Sequence, residues 1–162
     1  MAEPIIRAAR EEDIPEIRRI AKLAWEPIYA YFRSVMGEDL WGREQPAEPL
    51  EAKADQVERH FRERPDEAFV TEIDGEVMGF CTLMLRDNGV GEIGNNAVAP
   101  EAQGRGVGSA QYHECLRRMR EAGMVHATVH TGLDPAHAPA RRAYEKVGFE
   151  AVRPHVEYYM KL

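Results

Sequence analysis

The chain has 162 residues, 44% of them apolar and 30% charged, the make-up of one ordinary globular domain long enough to bury a core without staples. A formal charge of -7 argues against general nucleic-acid binding and favours neutral or cationic partners. The two cysteines, Cys81 and Cys115, have no metal-ligand spacing, Met1 to Arg10 is not built like a signal peptide, and no apolar run reaches spanning length; these point to a reducing, cytoplasmic setting with no membrane partner.

Ile5 to Ala8 reads as a short strand. Asp13 followed by Glu16 resembles a capping box, opening a helix whose apolar stripe is Ile17, Ile20, Ala21 and Ala24 and which fades near Trp25 or Pro27. From there to Pro49 the pattern is irregular but rich in rings: Trp25, Tyr29, Tyr31, Phe32 and Trp41. Acidic residues Glu38, Asp39, Glu44 and Glu48 share this segment, fitting either a cationic acceptor or a solvated acidic loop. Leu50 to Arg64 reads as a second helix, and Glu67 to Ile73 with Glu76 to Leu85 as a hairpin about Asp74-Gly75.

A further strand runs from about Gly91 to Ala99. A helix over Gly106 to Ala122 buries Tyr112, Cys115, Leu116 and Met119 and stops at Gly123. Val125 to Thr131 is a strand, Pro139 to Val147 a helix, and Phe149 to Arg153 with Glu157 to Lys161 the closing strands. No repeat or linker divides the chain, so residues 1–162 form a single domain. The order is β-α-α-β-β-β-α-β-α-β-β, an α/β fold with a mixed sheet and helices on its faces.

Gly104, Arg105, Gly106, Val107 and Gly108 lie between a strand and a helix N-terminus. Backbone N–H groups there have no helical partner and the helix dipole is positive, which makes the turn an anion site. Glycines let the backbone come close to a phosphate, and the Arg105 fork suits phosphate oxygens. The P-loop pattern is absent, since no Lys-Ser or Lys-Thr pair follows the glycines, and the dinucleotide fingerprint fails because its last glycine is replaced by Ser109. A diphosphate outside those two classes is the natural ligand.

Gln103, Gly106 and Gly108 resemble the Q/R-x-x-G-x-G/A signature of the GCN5-related N-acetyltransferase (GNAT) family, which wraps the pyrophosphate of coenzyme A. "AVAPEAQGRGVGSA" is similar to that family's strand, turn and helix, "ARRAYEKVGFE" to its later helix and strand, and "IIRAAREEDIPEI" to its opening. The resemblance implies an acetyl-CoA-dependent N-acetyltransferase acting on a primary amine by direct attack, with no metal. It assigns cofactor contacts to Ala97, Val98, Ala99, Gln103, Gly104, Arg105, Gly106, Val107, Gly108 and Ser109, with the strand Ala97 to Ala99 splayed from its neighbour and the Val98 N–H facing the thioester oxygen.

Tyr144 falls where the family often has the acid that protonates the leaving thiolate, a task suited to a phenol, although an aromatic residue at helical spacing also reads as core. Glu92 falls where the histone-acetylating branch has its base, reaching the amine directly or through water; a solvent-facing strand carboxylate is the competing reading. His137 stands where many members carry an asparagine that helps hold the cofactor. Asn95 and Asn96 either bond the acceptor or satisfy a strand edge. His126 and His130 share a strand face without a third metal ligand. The acceptor is left open among a small metabolite, an antibiotic, a peptide N-terminus and a lysine side chain, and the chain reads either as a homodimer paired through Val156 to Leu162 or as a monomer. A CoA or acyl-CoA binding module without catalysis is the alternative, and a different acyl donor or an oxygen acceptor is a third possibility.

Overall fold

The computed structural model describes residues 3–150 and 152–162. Five strands form one sheet in the order β1-β2-β3-β4-β5: β1 (Ile5–Arg7), β2 (Ala68–Ile73), β3 (Glu76–Leu85), β4 (Val90–Val98) and β5 (His126–Val129). The first four are antiparallel neighbours, and β5 runs parallel to β4. The β2–β3 turn has Asp74 and Gly75 both at positive φ, the conformation an Asp-Gly hairpin favours.

Helices α1 (Ile14–Glu44) and α2 (Pro49–Glu63) cover one face of the sheet, while α3 (Val107–Glu121) and α4 (Ala138–Lys146) cover the other. The first layer buries Ile17, Ile20, Val57 and Phe80; the second buries Phe69, Leu83, Ile93, Cys81 and Cys115. Both cysteines are core residues, as the sequence suggests.

Three expectations need correction. The first helix does not fade at Trp25 or Pro27: α1 continues to Glu44, with Pro27 inside it and a break at Gly37 (φ 77°, ψ 162°). Proline inside a helix costs about 3 kcal/mol, and burial of Ile28 and Trp41 together with the edge-on Tyr29–Trp41 pair offsets that cost. The rings of the supposed loop therefore belong to a helix and its kinked extension.

The capping box is not formed either. Asp13 closes a short 3₁₀ turn, Glu11–Asp13, and its carboxylate accepts from the Arg7 guanidinium at 2.6 and 2.9 Å and from the Arg10 N–H at 2.7 Å, while Glu16 pairs with Arg19. The arginine fork offers two charge-assisted bonds where a helix N-terminus offers one N–H, so Asp13 turns back toward β1.

Among the described residues the closing strands are absent. Phe149, Glu150 and Val152 to Leu162 are in no strand, and Ala151, which falls in the first of them, lies outside the described residues. Strand β5 has four residues, too short an edge to template two more strands of the expected length. The tail instead lies exposed, with Lys161 3.9 Å from Asp39.

Candidate active site

The site is built where the sheet comes apart. Strands β4 and β5 pair only from Val90↔His126 to Ile93↔Val129. Beyond Ile93, β4 keeps its antiparallel partner β3 to Val98, but its other edge has no strand beside it. The Ala99 N–H donates to the Met78 carbonyl at 2.8 Å, and because a strand's hydrogen-bonding edge alternates residue by residue, the Val98 and Asn96 N–H groups point away from β3 into the split. The splay expected at Ala97 to Ala99 is present, with Ala97 and Ala99 buried.

A β-bulge sets which side chains face which layer. Cys81 pairs with Asn96 and Leu83 with Ile93, leaving Gly94 and Asn95 together opposite Thr82. The extra residue shifts the alternation. Asn95 consequently faces α2, where Lys53 Nζ donates to its Oδ1 at 2.7 Å, and Asn96 faces α3 and α4. Asn96 accepts from the Tyr112 hydroxyl at 2.8 Å and donates through Nδ2 to the Gly94 carbonyl at 3.0 Å and the Tyr144 hydroxyl at 3.2 Å. The two rings lie 4.7 Å apart. Burial raises both phenols above their ordinary range, so Tyr144 holds its proton at neutral pH.

Glu92 lies on the opposite face from Tyr144. Its strand neighbours Gly91 and Ile93 face α3: a Cβ on Gly91 would strike Met119, and Ile93 packs beside Met119. Glu92, lying between them, points to the α1/α2 side, where it pairs with Arg86 and with His130 Nδ1 at 3.1 Å. The carboxylate is largely covered while the His130 ring is exposed.

The glycine turn stands at the mouth of the split. Gly104 has φ 75° and Gly106 φ 84°, left-handed conformations that cost other L-residues roughly 1–2 kcal/mol. Gly106 is the N-cap of α3 and no side chain caps the helix. Since Ala110 makes the first intrahelical bond, to the Gly106 carbonyl at 3.0 Å, the N–H groups of Val107, Gly108 and Ser109 are left for an outside acceptor. A Cβ on Gly108 would meet only ordinary contacts with Val98 and Tyr112. Gln103 and Arg105 are exposed, and this donor set suits a diphosphate.

His137 lies apart from that turn, just ahead of α4. Its Nδ1 is 2.6 Å from Asp134 Oδ2. Burial works to raise the Asp134 carboxyl, but the bonds from His137 outweigh it and hold the group below its ordinary value.

On the α1/α2 face, Lys53 Nζ stands 4.2 Å over the Trp25 ring and donates to Gln56 at 2.8 Å. Burial lowers its pKa to about 8. Farther along the same two helices, a cavity of about 790 Å³ opens between the extension of α1 and the start of α2, lined among others by Tyr29, Arg33, Glu38, Trp41 and Leu50. Glu38 is paired with Arg33 and Asp39 with Arg43, so those carboxylates are neutralised locally. Sequence reasoning missed Lys53, Arg86 and the role of Tyr112. A lone lysine and a core tyrosine carry no motif, and only the bulge brings their partners into reach.

Residues 18–149 match the model of the acetyltransferase (GNAT) family. The chain belongs to that family. As a GNAT acetyltransferase it is 33% identical over 116 residues to a mycothiol acetyltransferase of Thermomonospora curvata, a match covering 71% of this chain and 38% of that protein. The chain thus spans well under half the length of that relative. An N-alpha-acetyltransferase of Sulfurisphaera tokodaii is 25% identical over 95% of this chain and 84% of its own. Among solved structures, an aminoglycoside N-acetyltransferase in complex with CoA superposes with a TM-score of 0.66 at 18% identity, covering 100% of this chain and 97% of that one. This likeness establishes the acetyltransferase fold. Among the described residues no helix is long and apolar enough to cross a membrane.

Proposed function

We propose that this chain is an acetyl-CoA-dependent N-acetyltransferase that moves an acetyl group directly to a primary amine. The observation that carries the reading is the arrangement about the split: uncapped α3 N–H donors at one end, outward-facing N–H groups of β4 in the middle, and a proton-holding phenol and a carboxylate on opposite faces of the strand.

In this reading Gly104 to Ser109, with Gln103 and Arg105, hold the CoA diphosphate, and the backbone of Ala97 to Ala99 holds the pantetheine arm. The bound co-substrate supplies a thioester, an activated acyl group. The Val98 N–H polarises the thioester carbonyl. Glu92, on the α1/α2 face, takes the proton the amine sheds, directly or through water; Arg86 and His130 fix the carboxylate in place. Tyr144, on the α3/α4 face, donates its hydroxyl proton to the departing sulfur. Amine and leaving group are thereby handled on different sides of one strand. His137 is a candidate pantetheine contact, since its Nε2 is not the nitrogen held by Asp134.

The cavity farther along α1 and α2, lined by Tyr29, Trp41 and Leu50, supports an acceptor entering between those helices. The relatives' names suggest two acceptor classes for a first screen, compounds of mycothiol chemistry and peptide N-alpha amines. Self-association is proposed through the tail, where Val156, Tyr158, Met160 and Leu162 are all exposed. The test of the reading is amine-dependent release of free CoA thiol across such a panel. Thiol release matched by acetylated amine supports it, whereas tight acetyl-CoA binding without product from any amine favours a binding module.

A further inference from the structure

We infer that Lys53 is an acetylation site of this same chain: the protein transfers an acetyl group to its own Lys53 Nζ when no external amine occupies the acceptor side. The inference rests on the acetyl-CoA reading above.

Lys53 is the one lysine held against the strand that borders the split. Its Nζ lies 2.7 Å from Asn95 Oδ1, and Asn95 immediately precedes Asn96, whose N–H faces into the opening. The Val98 N–H that faces the thioester lies three residues farther along β4, roughly 10 Å, and the four rotatable bonds of a lysine side chain let Nζ swing along the strand toward it. The amine approaches from the α1/α2 face, the side on which Glu92 stands.

The surroundings also suit a nucleophile. Among the described residues no carboxylate pairs with Lys53, whereas Lys22 is paired with Glu51 and Lys161 lies near Asp39. Its neighbours are two neutral amide oxygens, from Asn95 and Gln56, and the Trp25 ring. A neutral amine has two hydrogens. With both donated to those oxygens, its lone pair is left without a hydrogen-bond duty. Burial, by bringing the pKa to about 8, provides a substantial neutral fraction near physiological pH.

The step balances as follows. The Nζ lone pair forms a bond to the thioester carbonyl carbon, and the carbon–sulfur bond breaks with its electron pair going to sulfur. The proton lost from nitrogen passes to Glu92 directly or through water, and Tyr144 gives its proton to the thiolate, the two side chains returning to their starting states by exchanging that one proton through solvent. The products are N-acetyl-lysine and CoA thiol, with no other reactant. Acetylation removes the cation over Trp25 and places an amide at the acceptor entrance.

The experiment incubates the purified full chain with acetyl-CoA alone and locates acetyl groups by peptide mass mapping, with thermal unfolding of the same samples reporting acetyl-CoA binding. The expected result is a mass gain at Lys53, at a rate unchanged by tenfold dilution of the protein, lost in Lys53→Arg and slowed in Tyr144→Phe. Lys161, with 88% of its side chain exposed, stays unmodified. A binding shift with Lys53 unmodified overturns the inference while leaving the acetyl-CoA reading standing. So does a rate that scales with protein concentration, or labelling that favours Lys161. No binding shift at saturating acetyl-CoA overturns both.

Discussion

The Asn96 side chain donates to the Tyr144 hydroxyl at 3.2 Å, fixing the position of that buried oxygen beneath the strand. The same amide accepts from Tyr112, so one strand residue holds two buried phenols side by side, their rings 4.7 Å apart.

Tyr144→Phe is expected to lower kcat by about a hundredfold to ten-thousandfold, the usual worth of a positioned acid, with acetyl-CoA binding retained. Asn96→Ala should lower kcat through the same hydroxyl. In the double variant the losses should fall short of additive, because both changes act on one bond. Asn96→Ala also strands two buried hydroxyls, which costs about 1–3 kcal/mol each when unsatisfied and should appear in denaturant unfolding. Steady-state kinetics on the three variants and equilibrium melts check both effects.

Glu92→Gln is expected to reduce kcat with acetyl-CoA binding retained, if the carboxylate takes the amine's proton. His130→Ala, which takes one partner from that carboxylate but leaves Arg86, should have a smaller effect. Equal kcat in wild type and Glu92→Gln would exclude the carboxylate as base.

On α3, the Arg117 bond, with help from Arg118 and against the opposing effect of burial, holds the Glu114 carboxyl down at about 2, below its ordinary 4.5. A depressed folded-state pKa contributes stability that is present above pH 4.5 and is lost as the pH falls toward 2. The melting temperature should therefore drop across that window, and Glu114→Gln should flatten part of the drop while lowering the melting temperature at pH 7.

Deleting residues 153–162 should leave the melting temperature of the monomer nearly unchanged, since these residues are exposed throughout. If the tail joins two copies, sedimentation will show a dimer for the full chain and a monomer for the shortened one. Identical sedimentation of both would remove the tail as the contact.

Much of this architecture can be read from residues alone. The Asp74-Gly75 hairpin, the strands around it and the glycine turn ahead of α3 follow from local rules about turns and periodicity, and the structure has them within a residue or two. Pro27 and the ring-rich segment after it read as a loop because a proline's local cost is visible in sequence, while the packing of Ile28 and Trp41 that outweighs it is not. The tail fails for the converse reason: its alternation is that of a strand, but pairing needs an edge that the pattern cannot supply. In the candidate site, the left-handed turn at Gly104 and Gly106 is legible from its glycines. The environment of Glu92 and the Asn95–Lys53 contact are not, since both depend on tertiary contacts that no spacing rule reports. The bulge opposite Thr82 adds to this by sending Asn95 and Asn96 to opposite faces.

The most direct test of the central claim is thermal unfolding of the full chain and of Gly106→Pro, each with and without acetyl-CoA. A ligand bound only by the folded state raises the melting temperature by mass action, by an amount set by its concentration over Kd. Proline fixes φ near about -65°, which the φ of 84° at Gly106 does not allow, so the variant should still melt cooperatively but lose the rise. A rise in the parent that vanishes in the variant is the predicted result. An equal rise in both would place the diphosphate elsewhere, and no rise in the parent at saturating acetyl-CoA would contradict the account.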